Sequence, residues 1–169
     1  MTTVIVLAMH GAPPNDFPSQ DMMEMLGLHG RLEHAAEHER VALQKRYAPL
    51  EARMRAWPRT AQNDPFCTAS QELAAHLARA AGRPVLVGFN EFCAPSLDEV
   101  FDQAVAGGAE RVVVVTPMMT RGGEHAEADI PAALDRARAR HPAVQFVYAW
   151  PFVPADVARF LADQVERFP

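Results

Sequence analysis

The chain has 169 residues, of which 49% are hydrophobic and 22% are charged, and its formal net charge at pH 7 is -5. This length and composition are typical of one globular domain with a buried core, so a single domain over residues 1–169 is predicted. The acidic balance argues against nucleic acid, no apolar run approaches the roughly 20 residues of a membrane span, and residues 1–9 lack a secretory signal, so a cytoplasmic protein is expected.

Four short β-branched segments define the predicted order of elements. Strands are expected near residues 3–9, 84–90, 111–116 and 144–149, with alanine-rich amphipathic stretches between them. The segments are apolar throughout rather than alternating, as expected of strands with helices on both faces. Strands that alternate with helices predict an α/β fold with a parallel sheet.

A long helical insertion, residues 12–66, is predicted after the first strand. It opens with the proline-rich stretch APPNDFPSQD. Two helices are expected over about residues 21–47 and 50–57, with interruptions near Gly27, Gly30 and Pro49.

The remaining helices carry recognisable start and stop signals. Capping boxes are predicted at Thr68 with Gln71 and at Ser96 with Glu99, and Gly82 is expected to end the first of these helices. Further helices are expected over about residues 126–141 and 154–167.

Three polar residues follow three of the predicted strands: His10, Glu91 and His125. In parallel sheets ligands bind beyond the carboxyl ends of the strands. If the strand order is 2-1-3-4, these three strands are neighbours about 4.8 Å apart, so the side chains converge on one rim. Two imidazoles and a carboxylate suit a divalent metal, although each residue alone also fits an ordinary loop.

The residues around the histidines fit this interpretation. Gly11 allows a sharp turn after His10, and Gly122 with Gly123 would allow a backbone to approach a ligand closely. Three carboxylates near His125 would raise the local cation concentration, or would simply favour the N-terminus of the next helix. They belong to Glu124, Glu127 and Asp129.

Several other kinds of site lack their motifs. No phosphate-binding G-x-x-x-x-G-K-[ST] or G-x-G-x-x-G loop follows a strand, and no G-x-S-x-G nucleophile elbow is present. The two cysteines, Cys67 and Cys93, have no C-x-x-C spacing and are expected to be small buried hydrophobes.

Three segments resemble the small class II tetrapyrrole chelatases, the CbiX- and SirB-type sirohydrochlorin chelatases: VIVLAMHG, NEFCAPSLDEVFDQAVAGGAERVVVVTPMMTRGGEHAEADIPAAL and HPAVQFVYAWPF. The most specific part is G-G-x-H-x-x-x-D-I-P after a valine-rich strand. The resemblance implies a flavodoxin-like lobe that inserts Co2+, Fe2+ or Ni2+ into sirohydrochlorin without ATP and without a permanently bound cofactor. It places the residues that bind the metal and remove the pyrrole protons at His10, Glu91 and His125.

The insertion departs from the small family members and is similar to the helical lip over the macrocycle of protoporphyrin ferrochelatases. Its apolar residues would contact the macrocycle, or would pack in a core: Met22, Met23, Met25, Leu26 and Leu28. Its basic residues would meet the macrocycle's carboxylates, or would form a solvated helix face: Arg40, Lys45, Arg46, Arg53, Arg55 and Arg59.

Other functions and assemblies remain open from the sequence. A non-enzymatic carrier of metal or tetrapyrrole, and a metal-dependent hydrolase, would use the same rim. His34 and His38 lie four apart on a predicted helix, a spacing that can hold a second metal. Larger chelatases build their cleft from two such lobes, so a homodimer is expected unless the insertion closes the slot in a monomer.

Overall fold

The computed structural model describes residues 1–168, except for the side chain of Glu33. A four-stranded parallel sheet with the order β2-β1-β3-β4 forms its centre, as the sequence predicted. Ile5 in the first strand pairs with Val85 on one side and Val113 on the other, so the carboxyl ends of three strands lie side by side. The strands are β1 Thr3–Met9, β2 Val85–Phe89, β3 Arg111–Val115 and β4 Gln145–Tyr148.

Helices pack on both faces of the sheet, which confirms the prediction from the continuous apolar strands. The insertion supplies α1 Ser19–His34 and α2 Glu37–Arg55, and the remaining helices are α3 Pro65–Ala81, α4 Leu97–Ala106, α5 Ile130–Arg140 and α6 Pro154–Val165. On one face, Val4 and Val6 form a core with residues of α4 and α5. On the other, Leu7 and Met9 pack against α3. Among the described residues, no helix is long and apolar enough to cross a membrane.

Two of the predicted helix signals hold and one is wrong. The Ser96–Glu99 capping box is present, and Gly82 ends α3 with a φ of 61°. The predicted box at Thr68 and Gln71 is not the start of α3. Asp64 caps this helix by accepting the N–H of Cys67 at 2.8 Å, and Pro65 occupies its first turn. Asp as N-cap followed by Pro is the stronger start signal, and it lies upstream.

The insertion breaks at Ala35 and Ala36, and the breaks predicted at Gly27, Gly30 and Pro49 are wrong. Both glycines lie inside α1 and the proline lies inside α2. A mid-helix glycine costs about 1 kcal/mol and a proline about 3 kcal/mol. Tertiary packing offsets these costs, because the two helices bury apolar side chains against one another: Leu28, Leu32 and Leu43.

This break also separates the two histidines proposed as a second metal site. His34 is the last residue of α1, whereas His38 lies in the first turn of α2. The prediction that they share one helix face is therefore wrong. Neither belongs to a metal-binding group found among the described residues.

Arg59, in the loop after α2, ties the insertion to the sheet. Its guanidinium donates to the carbonyl oxygens of Ala12 at 3.0 Å, of Met54 at 2.9 Å and of Phe92. It also pairs with the carboxylate of Asp64 at 2.8 Å, where the two side chains are 12% and 1% exposed. One buried cation thus joins the loops after β1 and β2 to the ends of two helices.

We expect Arg59→Ala to lower the free energy of unfolding by about 3 to 5 kcal/mol, because the Asp64 carboxylate would stay buried without its cation. Urea denaturation followed by circular dichroism would measure the change. Arg40→Ala is the control: this exposed arginine lies 3.9 Å from Glu37, and such surface pairs contribute about 0 to 1 kcal/mol. Equal losses in both variants would contradict a structural role for the Arg59 network.

Candidate metal centre

The candidate metal centre lies at the carboxyl edge of the sheet. His10 follows β1 directly, Glu91 follows β2, and His125 ends the loop after β3. Their ligand atoms all lie within 4.8 Å of one another, and each side chain is partly exposed. The parallel strands bring the three predicted residues together as their order requires. Three ligands of this kind can bind a divalent ion and leave a position open for another molecule.

Gly11 fixes the distance between the loops that carry His10 and Glu91. Its φ is +100°, and a Cβ atom at this position would lie 2.0 Å from the carbonyl oxygen of Glu91. The N–H of Glu91 in turn donates to the carbonyl oxygen of His10 at 2.9 Å. Only glycine allows this close backbone contact, so the turn predicted after His10 also positions the carboxylate.

Hydrogen bonds select the same tautomer in both histidines. His10 Nδ1 lies 2.7 Å from the carbonyl oxygen of Gly11, and His125 Nδ1 lies 2.6 Å from the carboxylate of Asp129. Both partners only accept, so in each neutral ring Nδ1 carries the proton and Nε2 keeps its lone pair. The rings meet edge to face with centroids 4.4 Å apart. Each neutral ring therefore keeps one unprotonated nitrogen, Nε2, that can bind a metal ion.

A π-helical turn places Asp129 beside His125. The turn spans His125–Asp129, and the N–H of Ile130 closes it by donating to the carbonyl oxygen of His125. Such turns are rare and are frequently found at functional sites. Sequence reasoning grouped Asp129 with a general negative rim and missed this hydrogen bond. The available signal was the four-residue spacing between the histidine and the aspartate.

The other two acidic residues of the segment do not belong to the ligand group. Glu124 is exposed and lies outside the cluster formed by His10, Glu91 and His125. Glu127 lies 3.3 Å from Arg121. The hydrogen bond from the Gly122 backbone, followed by that from Arg121, lowers the pKa of the Glu127 carboxyl. Glu127 is therefore held by its own loop.

Phe92, in the loop after β2, packs against the insertion's core and lies beside the centre. This residue has a φ of 59°, and its ring stacks on His10 with centroids 6.2 Å apart. A cavity of about 20 Å³ beside Glu91 and Phe92 is too small for a macrocycle. Tyr47 lines it, and burial raises the pKa of this phenol to about 12, so it stays neutral.

The predicted apolar surface of the insertion is smaller than expected. Met25 and Leu28 are buried in the insertion's own core, and Met22 packs against that core. Met23 and Leu26 remain exposed and could contact a flat ligand.

Most of the predicted basic residues bind groups within the protein. Arg55 donates to the carbonyl oxygens of Asn90 at 2.8 Å and Cys93 at 3.0 Å, so it holds the loop that carries Glu91. Arg53 pairs with Asp21 and lies over the rings of Phe17 and Trp57. Arg40 and Arg46 form surface pairs, and Lys45 is exposed. Arg55 and Arg59 thus position the loop after β2, whatever else they bind.

Sequence comparison relates the chain to sirohydrochlorin chelatases. A sirohydrochlorin cobaltochelatase of Priestia megaterium is 43% identical over 63 residues, which are 37% of this chain and 20% of that protein. A sirohydrochlorin ferrochelatase of the same organism is 32% identical over 82 residues, 48% of this chain and 30% of that protein. The matched segments therefore span less than a third of either relative.

Solved structures show the same fold at low sequence identity. The sirohydrochlorin chelatase SirB from Bacillus subtilis subspecies spizizenii, in complex with cobalt, aligns with a TM-score of 0.50 and 18% identity over 99% of this chain and 51% of that one. A putative cobalamin biosynthesis CbiX protein from Marinobacter aquaeolei VT8 aligns with a TM-score of 0.53 and 19% identity over 98% of both chains. The CbiX family model matches residues 61–167, which include Glu91 and His125. The chain belongs to the CbiX family.

Proposed function

We propose that this protein inserts a divalent metal, Co2+, Fe2+ or Ni2+, into sirohydrochlorin without ATP. The main support is the centre itself, where ligand atoms of two histidines and one carboxylate all lie within 4.8 Å of one another at a partly exposed rim. The names of the two curated relatives, a cobaltochelatase and a ferrochelatase, agree with this reaction. The metal is a substrate that leaves with the product, so no resident cofactor is required.

Metal insertion requires two pyrrole N–H protons to leave while a partly dehydrated cation approaches the ring. A neutral imidazole can bind the cation or accept a proton near neutral pH. The Glu91 carboxylate offsets part of the cation's charge and can pass protons to solvent. Three exchangeable ligands suit an ion that is delivered rather than retained.

The partners of the two Nδ1 atoms make the histidines unequal. His10 donates to a neutral carbonyl oxygen, whereas His125 donates to the Asp129 carboxylate. A hydrogen bond from a charged imidazolium to a carboxylate is much stronger than one to a neutral acceptor. We therefore assign proton removal to His125 and metal binding chiefly to His10.

A polar pocket beside the centre suits a peripheral carboxylate of the macrocycle. It measures about 230 Å³ and is lined by Arg55, Asn90 and Arg136 and by Asp98 and Asp129, among others; Asp98 pairs with Arg136 at 2.6 Å. The amide Nδ2 of Asn90 is buried and has no hydrogen-bond partner among the described residues. Arginine and amide donors are the usual partners of a carboxylate. The pocket adjoins Asp129, so a ligand bound here would lie next to His125.

A spectroscopic metallation assay tests the proposed activity. Wild-type protein should accelerate the absorbance change of sirohydrochlorin with at least one of Co2+, Fe2+ or Ni2+, and His10→Ala should slow it by about 100-fold. His76→Ala, which removes an exposed histidine on α3, is the matched control and should leave the rate unchanged. Tight binding of metal and tetrapyrrole with no acceleration would instead identify a carrier, and turnover of esters or phosphates a hydrolase.

Removing the carboxylate charge beside His125 should weaken metal binding or slow metallation while the three ligands stay in place. We expect Asp129→Asn to lower metal affinity or the metallation rate by about 10- to 100-fold, as is typical when the partner of a metal-binding histidine is lost. Isothermal titration with Co2+ and the metallation assay would measure the two effects. Glu124→Gln removes the charge of an exposed neighbour that lies outside the ligand group and should have little effect. Equal losses in both variants would show that only the general negative rim matters.

We also propose a homodimer, because apolar surface on two parts of the fold lacks a partner. Helix α6 has no buried residue. Its flanking Val153 is 58% exposed, and Phe160, Leu161 and Val165 are 58%, 54% and 67% exposed. The sheet face packed by α3 is only partly buried at Val113 and Val147, in β3 and β4. A second copy that covered both surfaces would remove this apolar area from water.

Light scattering at micromolar concentration tests the dimer. The wild type should show twice the 18.6 kDa mass of one chain, and Leu161→Glu should shift it towards the monomer. Ala155→Glu adds the same charge to an exposed position on the opposite side of the same helix and should stay dimeric. A wild type that is monomeric and active would refute the proposal.

A further inference from the structure

Cys67, Cys93 and Asp64 form a second group of metal-binding atoms that shares no residue with the histidine centre. Their ligand atoms all lie within 4.8 Å of one another. Asp64 caps α3, Cys67 lies in the first turn of that helix, and Cys93 lies in the loop after β2. The 25 residues between the two cysteines, Thr68 to Phe92, gave no recognisable spacing, and both were expected to be ordinary buried hydrophobes.

The distance between the two sulfurs fits one shared ion. Cys67 Sγ and Cys93 Sγ lie 3.7 Å apart. Two thiolates at about 2.3 Å from a tetrahedral Zn2+ are separated by about 3.8 Å. A disulfide would instead require the sulfurs to approach to about 2.05 Å. An ion therefore fits between the sulfurs as they stand, whereas a covalent bond needs the helix and the loop to move.

The charges of the cluster also balance around a divalent ion. Asp64 is already paired with Arg59 at 2.8 Å, so this carboxylate and this guanidinium cancel. Two thiolates cancel the charge of the ion. A buried site is stable only when its charges are compensated in this way. The Asp64 oxygens accept from the Cys67 N–H and from Arg59, and each retains a lone pair for an ion.

We propose that Cys67, Cys93 and Asp64 bind one thiophilic divalent ion, Zn2+, in a site separate from the reactive centre. Thiolate ligands select such an ion over the oxygen-preferring Mg2+ and Ca2+. Cys67 is partly exposed and gives the ion a route from solvent, while Cys93 and Asp64 are buried. The bound ion joins the start of α3 to the loop that carries Glu91, two residues before Cys93. The bound ion therefore stabilises the conformation of the loop that carries Glu91.

Co2+ serves as the spectroscopic probe for this site. Titration of reduced protein should produce an intense near-ultraviolet thiolate-to-cobalt charge-transfer band that saturates by two equivalents, since the histidine centre also binds Co2+, and Zn2+ should abolish it. The band should persist in His10→Ala, which removes a ligand of the histidine centre but no thiol. It should disappear in Cys67→Ser, a substitution at a partly exposed position, and an unchanged far-ultraviolet circular dichroism spectrum would show that the fold is retained. Glu91→Gln, which also retains both thiols, should keep the band.

Three results would overturn the proposal. One is the absence of the band in fully reduced wild type with Co2+ in excess over both metal-binding groups. Another is a band that persists in Cys67→Ser, because the ligands would then lie elsewhere. The third is rapid formation of a Cys67–Cys93 disulfide by peroxide in the presence of Zn2+, because the sulfurs would then meet each other and not an ion. None of these depends on metallation activity, so failure here and failure of the proposed reaction are distinguishable.

Discussion

The backbone contact between the turn after β1 and the loop after β2 is the constraint on which the site depends. Gly11 lies so close to the carbonyl oxygen of Glu91 that no side chain fits between them, and Glu91 returns a hydrogen bond to His10. The two loops are therefore packed together as one unit. His10 and Glu91 are positioned by main-chain atoms, which are far less adaptable than side chains, and only His125 arrives from a separate loop.

The insertion contributes to the site mainly by holding that unit in place. Arg55 and Arg59 donate to carbonyl oxygens of the loop after β2, and Arg59 also reaches the loop after β1. The same Arg59 neutralises Asp64 at the start of α3. The histidine centre and the thiol cluster thus share one supporting network. The sequence suggested that the basic residues of the insertion bind an anionic substrate, but Arg55 and Arg59 bind carbonyl oxygens of the protein's own loops.

The loop after β3 gives His125 a hydrogen-bond partner that differs from the partner of His10. In the π-helical turn after β3, Asp129 accepts from His125, whereas the corresponding partner of His10 is a neutral carbonyl group. Two identical side chains a few ångströms apart therefore differ in the charge of their hydrogen-bond partners. The proposed division of roles between them rests on these partners and not on the histidines themselves.

The sequence by itself determined the sheet, its flanking helices and the convergence of His10, Glu91 and His125. These follow from short-range patterns, since continuous β-branched segments form buried parallel strands and parallel strands end at one edge. It also determined the start of α4, where Ser96 and Glu99 satisfy backbone groups within one turn. Tertiary structure decided the rest. Packing between α1 and α2 outweighs the local cost of Gly27, Gly30 and Pro49, and the Arg59 network, the Asp129 hydrogen bond and the Cys67–Cys93 pair depend on contacts that no local pattern encodes.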